Sequence, residues 1–275
     1  RRCLLVTDSG VPAPYTETVR AACGDPTPVC LPMGEATKNI RSYEKLLRIL
    51  SERGFTRTDC VVAVGGGVVG DLAGFAAATY LRGIDFYNIP TTLLSEVDSS
   101  VGGKTGIDLD GVKNQVGAFH QPRGVLIDPE VLSTLPQRQF ACGMAEVIKM
   151  AATFDADFFA FCERAHATDA AAIIRRAAAI TRDVVMHDEY EGGLRRVLNF
   201  GHTVGHAVET LAGGRLLHGE CVAIGMLPMT SPEVRPRLRA VLERWGLPTG
   251  CPFAPDALLP LLTHDKKMLG NEIAY

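Results

Sequence analysis

The sequence predicts a Rossmann-like α/β domain followed by an all-α domain. In the first half, short apolar runs alternate with helical patterns, as in βαβ units around a parallel sheet. One of these runs, Val61–Val64, enters a triple-glycine turn that opens a helix. From Pro136 onward the apolar residues recur with helical spacing instead. We therefore expect an α/β domain at residues 1–135 and a helical domain at 136–275.

The individual elements follow from these patterns. Strands are predicted at Cys3–Thr7, Val61–Val64, Ile84–Ile89 and Val125–Ile127. Helices are predicted at Ser42–Arg53, Val69–Leu81, Phe140–Thr153, Phe158–Ala165, Ala170–Asp188, His202–Ala212 and Pro236–Trp245. The glycine- and serine-rich segment 90–114 is predicted as a loop at a strand end, where functional residues are common.

Composition excludes several classes of protein. A net charge of −3 means that the chain lacks the excess of Lys and Arg typical of nucleic-acid-binding proteins. The sequence contains no apolar run long enough to span a membrane. Eight scattered cysteines without a CxxC pair indicate reduced thiols and a cytoplasmic protein. The chain begins with Arg and ends in a strand-like Glu-Ile-Ala-Tyr, so we expect the first strands and the C-terminal end of the fold to lie outside it.

Three histidines form the strongest chemical signal. His202 and His206 are four residues apart and share a helix face, and His218 follows after a Gly-Gly pair that can end that helix. Three imidazoles close together indicate a divalent metal site or an acid–base site, although paired helical histidines are more often structural. Glu146 lies on an apolar helix with Lys149 three residues later, so its carboxylate needs either that lysine or a metal as partner.

The glycine turn suits a phosphate group. Gly65, Gly67 and Gly70 fit a GxGxxG pattern, with Asp85 near the distance of a ribose-binding acid. Glycines allow close backbone approach, and a helix N-terminus favours anions. Glycine turns also end many strands for steric reasons alone, so nucleotide binding stays one of two interpretations.

Six blocks of the sequence resemble the 3-dehydroquinate synthases, a family of sugar-phosphate cyclases. They are residues 65–78, 97–105, 113–119, 143–149, 198–209 and 217–220, in the family's order. The resemblance runs from about residue 4 to 275. It implies an NAD-binding α/β domain, an all-α metal- and substrate-binding domain, and a homodimer.

The resemblance also implies a role for each matching residue. The metal ligands would be Glu146, His202 and His218, holding zinc or cobalt. His206, Glu191 and Lys149 would act in catalysis. The implied substrate-binding residues are Arg82 (reaching across the dimer interface), Asp98, Lys104, Asn114, Lys149, Arg195, Asn199, His206 and one of Lys266 and Lys267. The implied NAD-binding residues are Asp8, Glu35, Lys38, Gly65, Gly66, Gly67, Asp71, Thr91, Thr92, Lys113 and Thr134. Asp85 falls outside this set.

The implied reaction converts 3-deoxy-D-arabino-heptulosonate 7-phosphate into 3-dehydroquinate and phosphate without net oxidation. Glu96 stands where the family more often has Gln, a harmless change if the side chain faces solvent. Three alternatives remain: a sister cyclase such as 2-deoxy-scyllo-inosose or amino-dehydroquinate synthase, a metal-dependent polyol dehydrogenase, or an inactive nucleotide-binding fragment.

Overall fold

The computed structural model describes residues 1–262, 268–269 and 272–273, which divide into two units, Arg1–Leu135 and Pro136–Tyr275. The strands of the first unit are β1 (Cys3–Asp8), β2 (Thr27–Leu31), β3 (Cys60–Gly65), β4 (Asp85–Pro90), β5 (Lys104–Leu109), β6 (Val112–Phe119) and β7 (Gly124–Val125). Its α-helices are α1 (Ala13–Ala22), α2 (Ile40–Glu52) and α3 (Gly67–Thr79).

A parallel sheet organises the first unit. Its strand order is β2-β1-β3-β4-β7, and every neighbouring pair is parallel. Leu4 and Val61 on one face belong to a core with Leu46 and Leu50 of α2 and with α3. The alternate residues Leu5 and Val62 pack on the other face with Val19 of α1. Helices therefore cover both faces, as a parallel sheet requires, and the predicted α/β class is confirmed.

Outside the segment 90–114, the helix α1 and the strand β2 of this unit were not predicted. The helix α1 has no buried residue, and β2 is an edge strand that contains Pro28, so neither shows strong periodicity. The predicted loop at 90–114 is also wrong in part, because β5 and β6 form an antiparallel hairpin. Asp110 and Gly111 turn this hairpin at φ angles of 50° and 80°. An Asp-Gly pair between strands is a strong hairpin signal that could have been used.

The second unit is mainly helical, with a core built around its first helix. Its helices are α4 (Gln137–Phe154), α5 (Ala156–Cys162), α6 (Ala170–His187), α7 (His202–Ala212), α8 (His218–Met226), α9 (Arg235–Arg244) and α10 (Pro255–Leu262). Residues Ala141 to Ala151 of α4 are buried on every side, which makes α4 the central helix of the unit.

The expectation of an entirely helical second half needs one correction. Two short strands, β8 (Met268–Leu269) and β9 (Glu272–Ile273), pair antiparallel. The five predicted helices all form, whereas α8 and α10 were not predicted. Among the described residues, no helix is both long and apolar enough to cross a bilayer.

Candidate active site

Glycines bring three helices of the second unit into backbone contact. A Cβ at Gly219, the second residue of α8, would lie 2.1 Å from the carbonyl oxygen of Cys142 in α4. A Cβ at Gly225 of α8 would lie 2.0 Å from the carbonyl oxygen of Gly201, which caps the start of α7. No side chain fits in either place, so the helices that carry Glu146, His202 and His218 approach as closely as their main chains permit.

These three side chains converge on one point. Oε1 of Glu146 lies 3.8 Å from Nε2 of His202 and 3.4 Å from Nε2 of His218. One ligand atom from each residue lies within 4.8 Å of the other two. Oε1 is buried and accepts no hydrogen bond from any described residue. A carboxylate oxygen that faces two imidazole nitrogens without hydrogen bonding to them is the donor set that a divalent cation takes.

The electrostatics of this cluster also favour a cation. Burial is the largest single influence on Glu146 and opposes its ionisation, but Lys149, together with His202 and His218, holds the pKa of the carboxyl well below its usual range. Burial, together with Lys149, lowers the pKa of His202 well below its usual value, so this imidazole is neutral. Burial opposes protonation of His218 too, yet the carboxylates of Glu146 and Glu209 raise its pKa to about 9. A bound cation would replace that proton, since a metal requires the neutral imidazole.

Lys149 and His206 border the cluster without joining the Glu146 ligand group. Lys149 donates a hydrogen bond to Oε2 of Glu146, and both side chains are 1% exposed. His206 is exposed, and its ring centroid lies 5.3 Å from that of His202 and 6.0 Å from that of His218. The three histidine rings therefore lie together, and only two of them face Glu146 Oε1.

Asp188 organises the loop that carries Glu191 and Arg195 and leads to Asn199. The Asp188 carboxylate accepts hydrogen bonds from the backbone N–H groups of Gly192, Gly193 and Arg195, and these contacts hold its pKa below the usual range. Within this loop Glu191 has a φ of 61°, and its Oε1 accepts a 2.8 Å hydrogen bond from Asn199 Nδ2. Arg195 is buried and donates to the carbonyl oxygen of Glu189. Glu191 and Asn199 thus form one hydrogen-bonded pair.

In the first unit, the glycine turn lies at the carboxyl edge of the sheet. The sheet changes winding direction between β1 and β3, and Asp8 and Gly65 end these two strands. Ligands of open α/β sheets bind at such a switch point. A Cβ at Gly66 would lie 3.1 Å from Thr92, and one at Gly67 would lie 3.0 Å from Ser99 Oγ. Thr91 donates its N–H to the carbonyl of Gly65, which places both threonines beside the turn.

A buried lysine connects residues assigned to NAD and to substrate. Lys38 Nζ donates hydrogen bonds of 2.5 Å to Asp71 Oδ2 and to Asn114 Oδ1. Burial opposes its charge, but the carboxylates of Asp71 and Glu35 outweigh burial and raise the pKa of Lys38. Glu35 also lies 3.3 Å from Lys113 Nζ. The structure therefore brings five of the implied residues of this unit into one polar network.

The other four implied residues of the first unit lie in four different elements. Asp98 belongs to a π-helical turn, Ser95–Ser99, and Lys104 begins β5. Thr134 hydrogen-bonds to the carbonyl of Val131 and to Tyr15. Arg82 is exposed and has a φ of 68°, between Leu81 at 51° and Gly83 at 119°. Lys266 and Lys267 lie outside the described residues.

One sequence-based interpretation is wrong, and the condition attached to another is not met. Asp85 is paired with Cys60 at the start of β3, at the opposite edge of the sheet from the glycine turn, and it binds Arg1 and Arg123 instead of a ribose. Glu96 does not face solvent, because its side chain is completely buried. Burial, with a smaller contribution from Asp128, raises the pKa of Glu96 to about 8.

One residue of the histidine cluster received no role from the sequence. Glu209 Oε2 lies 3.3 Å from His218 Nδ1. Its position on α7, seven residues after His202 and three after His206, puts it on the face that carries both histidines, and this spacing was available as a signal.

The family models of 3-dehydroquinate synthase match nearly the whole chain. The N-terminal model covers residues 28–142 and the C-terminal model covers residues 143–268. The chain belongs to the 3-dehydroquinate synthase family. The 3-dehydroquinate synthase of Geobacter metallireducens is 50% identical over 95% of this chain and 78% of its own length.

Solved structures of sugar-phosphate cyclases share the fold. A 2-deoxy-scyllo-inosose synthase, complexed with carbaglucose-6-phosphate, NAD⁺ and Co²⁺, has a TM-score of 0.89 at 28% identity and covers 100% of this chain and 80% of its own. The 2-epi-5-epi-valiolone synthase of Streptomyces hygroscopicus subsp. jinggangensis, with NAD⁺ and Zn²⁺ bound, has a TM-score of 0.86 at 30% identity, covering 95% of this chain and 79% of its own. The 3-dehydroquinate synthase family is thus related in fold to cyclases that bind NAD⁺ and a divalent metal.

Proposed function

We propose that this chain converts 3-deoxy-D-arabino-heptulosonate 7-phosphate into 3-dehydroquinate and phosphate, the activity of its family, in aromatic amino acid biosynthesis. The observation that carries the proposal is the buried Oε1 of Glu146 facing Nε2 of both His202 and His218. The identity of 50% to a 3-dehydroquinate synthase, against 28–30% to the sister cyclases, favours this substrate.

Glu146, His202 and His218 are the residues that would hold the metal, zinc or cobalt. The residues that would hold NAD are Asp8, Glu35, Lys38, Gly65, Gly66, Gly67, Asp71, Thr91, Thr92, Lys113 and Thr134. When bound, NAD supplies a transient hydride acceptor for a secondary alcohol, and the cation supplies Lewis acidity at its oxygen. The switch-point position of Asp8 and the glycine turn supports the NAD assignment.

The remaining site residues would bind the substrate and move its protons. The substrate carries a dianionic phosphate and a carboxylate, which explains the need for several cationic side chains. The assigned binding residues are Arg82, Asp98, Lys104, Asn114, Lys149, Arg195, Asn199, His206, Lys266 and Lys267. His206, Glu191 and Lys149 are assigned to catalysis, with His206 as acid or base and Glu191 as proton acceptor. The hydrogen bond from Asn199 orients the Glu191 carboxylate for that role.

We assign Arg82 to the phosphate bound by the partner subunit of a homodimer. Support comes from its backbone, because a non-glycine residue at positive φ is strained, and such strain concentrates at functional sites.

We further propose that the enzyme acts in the cytoplasm. Support comes from the sequence, whose eight scattered cysteines include no CxxC pair, a pattern typical of proteins in a reducing compartment.

The test is a reaction of the purified chain with the heptulosonate phosphate, catalytic NAD and zinc. We expect equal amounts of phosphate and 3-dehydroquinate and no accumulation of NADH. The matched control is His202→Ala, which should lose both zinc retention and phosphate release. Accumulating NADH would indicate a dehydrogenase, and no phosphate release from folded protein that retains zinc would overturn the proposal.

A further inference from the structure

Glu209 contacts the side of His218 that faces away from the ligand cluster. Its Oε2 lies 3.3 Å from Nδ1 of His218, while Nε2 of the same ring lies 3.4 Å from Glu146 Oε1. The Glu209 side chain is 10% exposed, so water replaces this contact poorly. His218 is therefore held between two carboxylates, one at each ring nitrogen.

This arrangement selects one tautomer of the ligand. A neutral imidazole has a single N–H, and a carboxylate acts only as an acceptor. With the N–H donated from Nδ1 to Glu209, the lone pair of His218 lies on Nε2, which points at Glu146 Oε1. His202 shows the same arrangement with a different acceptor, since its Nδ1 lies 3.3 Å from the carbonyl oxygen of Phe200. Both histidines consequently present Nε2 to one point.

We propose that Glu209 is a positioning residue, which fixes the tautomer and ring orientation of His218 for cation binding. The inference rests on the proposed metal role of Glu146, His202 and His218. The Glu209 carboxylate also makes Nε2 of His218 a stronger electron-pair donor to a cation, because it stabilises positive charge on the imidazole. Partners of this kind change metal affinity by about 10- to 100-fold when they are removed.

A competing arrangement uses the same residue as a direct ligand. Ligand atoms of His206, Glu209 and His218 also lie within 4.8 Å of one another. In that arrangement the carboxylate charge itself would bind the cation, and a neutral amide would replace it poorly. A positioning role differs, because the amide oxygen of glutamine still accepts the hydrogen bond from Nδ1. Glu209→Gln therefore separates the two roles.

The experiment compares zinc affinity among variants of this chain freed of metal by a chelator. A competing chromophoric chelator reports the zinc dissociation constant, and the visible spectrum of bound Co²⁺ reports the ligand geometry. We expect Glu209→Ala to weaken zinc binding about 10- to 100-fold and to alter the Co²⁺ spectrum. Glu209→Gln should restore most of the affinity and the wild-type spectrum. Glu17→Ala, an exposed change on α1, should behave as wild type.

Each result bears on the proposal. Wild-type affinity in Glu209→Ala would overturn the positioning role, provided that His202→Ala loses zinc. Failure of Glu209→Gln to restore affinity, in a variant with the wild-type melting temperature, would also overturn it in favour of direct ligation. Equal zinc binding by wild type and His202→Ala would instead refute the proposed metal centre, and this inference with it.

Discussion

Lys149 donates a hydrogen bond to Oε2 of Glu146 from the next turn of α4, and Oε1 of the same carboxylate faces the histidines. The two oxygens of one carboxylate thus have different partners. The lysine charge and the two histidines together keep the buried carboxyl ionised, because they lower its pKa against the effect of burial. An ionised Glu146 is what a metal site requires.

Replacing this lysine should destabilise the metal-free protein. Lys149→Met leaves a buried carboxylate without its lysine, and breaking a buried ion pair costs about 3–5 kcal/mol. Urea denaturation measures this free energy of unfolding, with the exposed Lys45→Met as the matched control. Adding Glu146→Gln to Lys149→Met should recover much of the loss, because the buried negative charge is then gone. A loss no larger than that of the control would contradict the expectation.

A single methyl group at Gly219 should disturb the metal site. The Cβ of Gly219→Ala would lie 2.1 Å from the Cys142 carbonyl oxygen, so α8 must move away from α4 and carry His218 with it. We expect a loss of about 1–3 kcal/mol in stability and a lower zinc content after dialysis. Gly250→Ala is the control, since a Cβ there has no atom within 4 Å among the described residues. Unchanged zinc content in Gly219→Ala would show that the helices tolerate separation.

Glu96 should make the stability depend on pH. Its pKa is about 8 in the folded protein against an ordinary value of 4.5, so between these values the folded state keeps a proton that the unfolded state releases. Stability due to this group is fully present below pH 4.5 and falls by about 1.4 kcal/mol per pH unit up to pH 8. Neither carboxyl oxygen hydrogen-bonds within the described part of the chain, and Asp128 adds repulsion.

The variant Glu96→Gln removes this titration while keeping the shape of the side chain. Chemical denaturation from pH 5 to pH 8 should therefore give a flatter profile for Glu96→Gln than for wild type. The slope is the quantity to compare, since a buried amide without partners has its own cost at every pH. Parallel profiles would mean that Glu96 ionises normally.

Mixed dimers test whether Arg82 serves the partner subunit. Arg82→Ala and His202→Ala subunits, carried on different tags, should each be nearly inactive alone. In a heterodimer, the site of the Arg82→Ala subunit receives the intact arginine of the other subunit. We expect about half of the wild-type activity per dimer, because one of the two sites is then complete. Inactive heterodimers would place Arg82 in its own subunit's site.

Spacing along one helix was enough to predict that His202 and His206 lie together. The same argument predicted that Glu146 and Lys149 share a helix face. Spacing could not select which histidines face Glu146, since that depends on how α4, α7 and α8 pack. The resemblance supplied that selection as an implication. The burial of Glu96 was missed for a related reason. Its π-helical turn has neither helical nor strand periodicity, so no pattern indicates which way the side chain points.

The contacts of Gly219 and Gly225 have a consequence for how this protein tolerates sequence change. The spacing of α4, α7 and α8 is set there by main-chain atoms, which are the same for every amino acid. Substitutions on the outer faces of these helices can therefore accumulate without altering the distances among the atoms of the cluster. The surface of this unit can therefore change in sequence while the geometry of its centre stays constant, because backbone contacts at a few glycines fix the helix spacing.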